Sequence, residues 1–239
     1  MRRFFASKNS FADGRVQLDA DETRHLLDVL RLHIGDEVAV FDGEGNEFRC
    51  LIGQIGKKTS DLEVLEKTNP ASPESAFDIT IAATILNGEK YDLIIQKAVE
   101  IGVTTLIPME TIRCDVKLKD AEKRLERWRR IALEATKQSG RAKLMQIAEP
   151  TTFDRLIADS KTENVVLFSE RDGDDFSTIT AGKKITVLFG PKGGWDDSEL
   201  AAARSRCIKI VTLGGRILRA ETAAIAITAI LQHRFGDLN

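Results

Sequence analysis

The second half of the chain alternates short apolar runs with longer segments of helical periodicity, and this alternation restricts the possible folds most. Apolar runs such as 77–85 and 184–190 are separated by helical segments such as 89–102. A strand that returns to the same edge of a sheet through a helix lies parallel to its neighbour. The pattern therefore predicts an α/β fold, with a mainly parallel sheet covered by helices on both faces.

Six apolar runs are the predicted strands of this sheet, and five segments are the predicted helices. The strands are FDITIAATI, VTTLIPM, LMQIA, NVVLFSE, KITVLFG and CIKIVTL. The helices are EKYDLIIQKAVEIG, AEKRLERWRRIALEATKQSG, TFDRLIADS, DDSELAAARSR and ETAAIAITAILQHRF. Ligands of parallel sheets bind beyond the carboxyl ends of the strands, so the loops that follow these runs are where a site is expected. The last helix is apolar on every side, which predicts that it is buried and that the chain forms a homodimer through this domain.

The first part of the chain has a different pattern. Strand-like runs dominate, DGEG at 42–45 is a turn between two of them, and one short helix is predicted over 21–32. The segment 68–76, TNPASPESA, holds two of the five prolines among small polar residues, which is typical of a linker. The sequence thus predicts a small β-rich, partly closed barrel over 1–70 and an α/β domain over 71–239.

Composition excludes several classes of protein. No run approaches the eighteen or so apolar residues of a membrane span, and the N-terminal MRRFFASKNSFADG lacks the apolar core of a signal peptide, so we expect a cytoplasmic protein. The cysteines Cys50, Cys114 and Cys207 are scattered and odd in number, which favours neither disulfides nor zinc. The three histidines lack metal-ligand spacing, and no metal is predicted.

Charge is unevenly distributed along the chain. The net charge is −2, yet residues 117–143 carry ten Lys and Arg against four Asp and Glu. A local excess of six positive charges in a slightly acidic protein indicates a basic patch.

The common nucleotide-binding loops are missing. The sequence has neither G-x-x-x-x-G-K-[ST] nor G-x-G-x-x-G. Two other glycine turns each follow an apolar strand directly, GPKGG at 190–194 and LGGRILRAET at 213–222, and LFSERDG at 167–173 ends a third strand. Glycines there accept backbone angles that other residues resist, and they let a flat ligand lie against the main chain. Arg216 and Arg219 either make surface ion pairs or face an anionic or carbonyl-rich ligand.

Five segments spread over the chain have a family pattern: RHLLDVLR, IQKAVEIGV, LFGPKGGW, LGGRILRAETAAIAI and the ending QHRFGDL. They resemble the bacterial 16S ribosomal RNA uridine-N3 methyltransferase family, in order and from the N-terminal Arg-Phe-Phe to the C-terminus. That family belongs to the SPOUT methyltransferases. The resemblance implies a C-terminal domain with a trefoil knot that dimerises, a PUA-like N-terminal domain that helps to bind RNA, and S-adenosylmethionine as cofactor.

By the same resemblance, the three strand-end loops form the cofactor pocket. The residues carried over are Leu167, Phe168, Ser169, Gly190, Pro191, Gly193, Gly194, Leu213, Gly214, Ile217 and Leu218. A flat, uncharged adenine and a methionine tail need glycines but no phosphate-binding loop. We expect a positive φ at Gly193. Lys192 stands where relatives usually have glutamate, and the change is either neutral or alters activity.

Methylation at uracil N3 requires loss of the imide proton while charge on O2 and O4 is tolerated. Arg219 is the predicted electrostatic catalyst, because a guanidinium aimed at a developing oxyanion stabilises it. Glu221 is either the base or a carboxylate at a helix N-terminus.

The RNA contacts are predicted from the basic patch, the N-terminus and the last glycine turn. They comprise Arg2, Arg3, Arg124, Arg127, Arg130, Lys137, Arg141 and Arg216. For the residues on the helix the alternative to RNA binding is a solvent-exposed face on which the basic residues alternate with glutamates. Trp195 is a candidate for stacking on bases, whereas core packing is favoured for Trp128. The substrate is expected to be 16S rRNA within the small ribosomal subunit. A non-catalytic RNA-binding protein and an enzyme acting on a small nucleoside are the alternatives.

Overall fold

The computed structural model describes residues 1–159 and 164–238, except for the side chain of Glu122. The chain forms two compact units. The first comprises residues 1–74 and 136–144, and the second comprises residues 75–135 and 145–239. No pattern in the sequence indicated that the segment 136–144 belongs to the N-terminal unit.

The first unit is built on a six-stranded sheet. Its strands are β1 Arg3–Phe5, β2 Phe11–Ala12, β3 Arg15–Leu18, β4 Glu37–Phe41, β5 Glu47–Ile55 and β6 Ser60–Thr68. Their order is β1-β4-β5-β6-β3-β2, and every neighbouring pair is antiparallel except β1 and β4. Alternate side chains such as Val38, Val40 and Ile52 point into one apolar core. The predicted β-rich module is confirmed.

The predicted short helix has an irregular form. It begins as α1 Ala20–Arg24, where the Asp19 carboxylate accepts hydrogen bonds from the backbone N–H groups of Asp21 and Glu22 at 3.0 and 2.9 Å. It continues over His25–Val29 as a π-helical turn. Leu26 is fully buried in the core of the unit.

The second unit contains an eight-stranded sheet and six helices among the described residues. The strands are β7 Asp78–Thr84, β8 Thr105–Glu110, β9 Gln146–Ile147, β10 Thr151–Thr152, β11 Val165–Phe168, β12 Asp174–Asp175, β13 Lys184–Phe189 and β14 Lys209–Thr212. The helices are α2 Glu89–Glu100, α3 Leu118–Glu122, α4 Leu125–Ser139, α5 Phe153–Asp159, α6 Asp197–Ser205 and α7 Ala220–Phe235. The last residues of α4 belong to the first unit. None of the helices in the described ranges is long and apolar enough to cross a membrane.

All strand pairs of this sheet are parallel. The order is β10-β8-β7-β13-β11-β14-β12, with β9 also paired to β8. Successive residues of β11 enter different cores: Val166 and Phe168 join one cluster, whereas Val165 and Leu167 join another. The first cluster includes residues of α2, α4 and α7, and the second includes residues of α5 and α6. The predicted parallel sheet with both faces covered is therefore confirmed.

Two helices differ from the prediction. The segment predicted as one helix over 121–140 is divided into α3 and α4. Helix α7 is not buried on every side, because only the face that carries residues such as Ala224, Ile227 and Leu231 packs into the core. Ile230, on another face, is 37% exposed in the single chain.

Candidate functional site

A cleft of about 390 Å³ lies in the second unit, at the carboxyl ends of three adjacent strands. It is lined by residues of the loops that follow β11, β13 and β14 and by the start of α7. Strands β13 and β14 flank β11 and run parallel to it, so all three chains leave the sheet at one edge. The volume suits a small organic ligand.

The loop after β13, Gly190–Trp195, is called the glycine loop below. Trp195 fixes its shape, because the indole N–H donates a hydrogen bond of 2.7 Å to the carbonyl of Phe168 at the end of β11. A Cβ on Gly190 would lie 2.8 Å from the indole ring, so only glycine lets the backbone pass so closely. Trp195 is 1% exposed. The interpretation that it stacks on RNA bases is wrong, because its ring packs inside the unit.

The backbone of the glycine loop turns at Gly194. Its φ is +73°, and a Cβ there would lie 2.5 Å from a carboxylate oxygen of Glu170. Gly193 is outside the left-handed region, so the expectation of a positive φ at that residue is wrong. In the loop after β14 the left-handed residue is Gly215, with a φ of +97°.

Helix α6 begins where the glycine loop ends. The Asp196 carboxylate accepts a hydrogen bond of 3.0 Å from the N–H of Ser198, and the Glu199 carboxylate accepts one from the N–H of Asp196, also at 3.0 Å. The hydroxyl of Ser198 also donates to Asp196 and is the main reason that the pKa of this carboxyl is lowered. The cap therefore links the end of the glycine loop to the first turn of α6.

The cleft brings together nearly all of the residues that the family resemblance assigns to the cofactor. Phe168, Ser169, Gly190, Pro191, Gly193, Gly194, Leu213, Gly214, Ile217 and Leu218 all line it. Leu167 does not, because its side chain points into the core on the α5 and α6 side. Glu170, on the predicted loop after β11, and Thr212, at the end of β14, also line the cleft. Sequence reasoning missed Ala223, and its place one turn into α7, directly after the last glycine turn, was the available signal.

The predicted catalytic pair lies at the start of α7. Arg219 is exposed and occupies the N-cap position, and Glu221 is in the first turn. The Glu221 carboxylate is 3.7 Å from the ammonium of Lys90, and its side chain is 14% exposed. Neither Arg219 nor Glu221 lines the cleft, whereas Arg216 does. No sequence pattern pointed to Lys90, which precedes Glu221 by 131 positions.

Four of the predicted RNA-binding arginines are on the second unit, Arg216 at the cleft and three others on or beside α4. Arg127 and Arg130 are exposed on α4, and Arg124, just before that helix, is partly exposed. Arg127 forms an ion pair with Asp92 of α2. Trp128, on the same helix, is 1% exposed and packs on Tyr91, so the core interpretation of this residue is confirmed.

The other predicted RNA-binding residues on the basic segment and the N-terminus belong to the first unit. Arg2 is exposed. Arg3 donates from two guanidinium nitrogens to one oxygen of the Glu47 carboxylate, and it also donates to the carbonyls of residues 136, 137 and 141. Lys137 pairs with Glu22, and the 3% exposed guanidinium of Arg141 pairs with Glu74 at 2.7 Å. These three cations hold the segment 136–144 in the unit and are not presented to solvent.

Comparison with known proteins agrees with this organisation. A model of the RNA methyltransferase domain matches residues 73–232, and a model of the RNA methyltransferase PUA domain matches residues 18–65. Ribosomal RNA small subunit methyltransferase E of Bacillus subtilis is 32% identical over 96% of this chain and 96% of its own length. The chain belongs to the ribosomal RNA small subunit methyltransferase E family. A second member of this family, from Aquifex aeolicus, is 31% identical over 89% of this chain and 91% of its own.

Two solved structures have the same fold as this chain. The ribosomal RNA small subunit methyltransferase E of Neisseria gonorrhoeae, bound to S-adenosyl methionine, has a TM-score of 0.91 and 31% identity over 100% of both chains. A protein from Legionella pneumophila, solved with bound SAM, has the same TM-score with 27% identity, and the match covers 99% of this chain and 98% of that one. These structures confirm the predicted fold class and the family resemblance.

Proposed function

We propose that the protein transfers a methyl group from S-adenosylmethionine to N3 of a uridine in 16S rRNA of the small ribosomal subunit. The observation that carries this function is the cleft formed by the three strand-end loops, in a chain that belongs to an rRNA methyltransferase family. The second unit supplies the methyltransferase domain, with the trefoil knot of the SPOUT class. The first unit is a PUA-like domain that helps to bind RNA, and the protein works in the cytoplasm.

The residues of the cleft fit the proposed cofactor. Glycines in the loops after β13 and β14 leave backbone free to approach a flat ring, and apolar side chains such as Phe189, Leu213 and Ile227 would pack against it. Glu170 supplies a carboxylate at the same cleft. When bound, S-adenosylmethionine supplies an electrophilic methyl group on its sulfonium.

Arg219 is proposed to stabilise charge on the uracil oxygens as the N3 proton is lost. Its guanidinium is exposed and its backbone caps α7, so the positive end of that helix adds to the same electrostatic field. Each well-placed donor contributes about 3–4 kcal/mol to such a transition state. Glu221 is held near Lys90 and either accepts the proton or fixes Lys90 at the start of α2.

The RNA phosphates are proposed to contact arginines of each unit that are exposed or partly exposed. In the second unit these are Arg124, Arg127, Arg130 and Arg216, and in the first unit Arg2. Arg3, Lys137 and Arg141 are not among them, because their side chains are paired with carboxylates and at most 13% exposed. Arg127 is also paired, with Asp92, but its side chain stays 60% exposed. A large folded RNA explains a basic patch of this size better than a small nucleoside does.

Two sets of variants separate the proposed catalytic role of Arg219 from RNA binding by the basic helix. Arg219→Ala should leave RNA affinity nearly unchanged and lower the single-turnover rate about 10²-fold or more, the scale of one lost transition-state donor. Arg127→Ala with Arg130→Ala should weaken RNA binding, reduce its salt slope by about one to two, and leave cofactor affinity intact. If Arg219→Ala weakens RNA binding as much as the double variant while keeping the wild-type rate, the assignment fails.

A non-catalytic RNA-binding protein is the competing function, since Lys192 departs from the family pattern. Isothermal calorimetry with S-adenosylmethionine decides between the two, because a protein that lost its cofactor gives no heat of binding. Mass spectrometry of rRNA nucleosides from cells with and without the gene then tests for N3-methyluridine. Methylation of free uridine but not of rRNA would indicate the small-nucleoside enzyme instead.

The protein is also proposed to act as a homodimer through the second unit. Ile230 of α7 and Leu93 of α2 are 37% and 39% exposed, and these two helices pack on each other. Covering apolar side chains of this kind is the main favourable term in association. A monomer in sedimentation at micromolar concentration would contradict the dimer, and Ile230→Asp should dissociate it without unfolding the chain.

A further inference from the structure

Two arginines from different loops of the second unit hold the glycine loop by its backbone. The first is Arg113, three residues beyond the end of β8. One guanidinium nitrogen donates to the carbonyl of Gly193 at 3.2 Å, and another donates to the Asp196 carboxylate at 3.0 Å. A single planar side chain therefore joins the middle of the glycine loop to the cap of α6.

The second arginine is Arg171, which follows β11. One of its nitrogens donates to the carbonyl of Trp195 at 3.2 Å and to the Asp197 carboxylate at 2.7 Å. The two arginines thus bind alternate carbonyls of the same loop, at residues 193 and 195. Each also binds an acidic residue at the start of α6.

The segment that presents Arg113 is itself fixed. The backbone N–H of Ile112 donates to the Glu199 carboxylate at 2.9 Å, and Glu199 is only 3% exposed. The other oxygen of this carboxylate accepts from the N–H of Asp196 at 3.0 Å. A buried carboxylate on α6 therefore ties the Arg113 segment to the end of the glycine loop, so Arg113 starts from a defined position.

We propose that Arg113 and Arg171, together called the clamp below, are positioning residues that keep the glycine loop in the conformation that binds the cofactor. The inference rests on the proposed cofactor site. A loop with glycines at 190, 193 and 194 has more accessible backbone conformations than other loops, so it needs outside restraint. If only a fraction of molecules holds the competent conformation, the apparent affinity falls by that fraction.

The test compares Arg113→Ala and Arg171→Ala with Arg129→Ala as control. Arg129 has nearly the same exposure as Arg113, 46% against 43%, and makes two ion pairs with Glu126 and Glu149. Calorimetry should give a dissociation constant for S-adenosylmethionine that is about fivefold higher in each clamp variant and unchanged in the control. At saturating cofactor the single-turnover rate should stay within about twofold of wild type, because only the loop population changes.

Two further measurements keep the proposal testable. Arg113→Lys should recover only part of the affinity, since one ammonium cannot reach both the carbonyl and the carboxylate as a planar fork does. In the absence of cofactor, hydrogen exchange of the amides at 192–194 should be faster in both alanine variants than in wild type and control. Arg113→Gln replaces Arg113→Ala if the latter does not fold.

The outcomes distinguish two failures. If the wild-type protein binds no S-adenosylmethionine, the proposed cofactor site is wrong. The exchange rates of the amides at 192–194 still test whether the clamp restrains the glycine loop. Folded clamp variants with wild-type affinity and wild-type exchange at 192–194 overturn the clamp alone. A loss of affinity in Arg129→Ala equal to that in Arg113→Ala also overturns it.

Discussion

Gly193 and Gly194 are adjacent in sequence, but we predict opposite responses to alanine. Gly194 has a φ of +73°, whereas Gly193 lies outside the left-handed region. An L-residue in the left-handed region costs about 1–2 kcal/mol. A Cβ at Gly194 would also lie 2.5 Å from a Glu170 carboxylate oxygen, but that side chain is 33% exposed and can move aside. The cost of the left-handed backbone at Gly194 therefore outweighs the contact with Glu170.

At Gly193 an added Cβ meets neither a left-handed backbone nor a close contact. The nearest atoms to an added Cβ are those of Arg113, at 3.8 Å, which is an ordinary van der Waals distance. Gly193→Ala should change the stability of the cofactor-free protein by less than about 0.5 kcal/mol, as expected for a compatible surface site. Gly194→Ala should lower it by about 1–2 kcal/mol, which corresponds to roughly 2–8 °C in melting temperature for a chain of this size.

Fluorescence-monitored melting is the assay, because both tryptophans lie in the second unit. Gly194→Ala combined with Glu170→Ala separates the backbone cost from the contact with Glu170. Recovery of wild-type stability in that double variant would show that the contact with Glu170 dominates. Equal melting temperatures of Gly193→Ala and Gly194→Ala would refute the backbone argument.

Three other predictions concern single side chains. Trp195→Phe should destabilise the second unit by about 1–3 kcal/mol, measured by urea unfolding, because the carbonyl of Phe168 loses its indole donor. Burial raises the pKa of Cys50 to about 12, so iodoacetamide at pH 8.5 should label the exposed Cys207 and spare Cys50 until the chain unfolds. The lowered pKa of Asp196 stabilises the fold above the unfolded-state value, so the stability difference between wild type and Asp196→Ala should shrink below about pH 4.

Local sequence periodicity was enough to predict the parallel sheet and the edge at which the site lies. Apolar runs alternate with helical segments, and the side chains of a strand such as β11 enter the two cores in turn. The glycine turns follow β13 and β14 directly, so chain direction alone brings them to the cleft beside β11. These features depend on residues a few positions apart, and pattern analysis detects such spacings.

The tertiary structure decided which partner each polar side chain binds. Arg3 and Arg141 carry the positive charge expected of an RNA contact. They bind Glu47 and Glu74 instead, which lie 44 and 67 positions away in the chain. Trp195 follows an exposed-looking glycine turn, yet its indole is buried against Gly190 and donates to Phe168. A sequence specifies the charge and the donor of each residue, but a partner distant in the chain comes within hydrogen-bond range only after the strands have paired and the cores have formed.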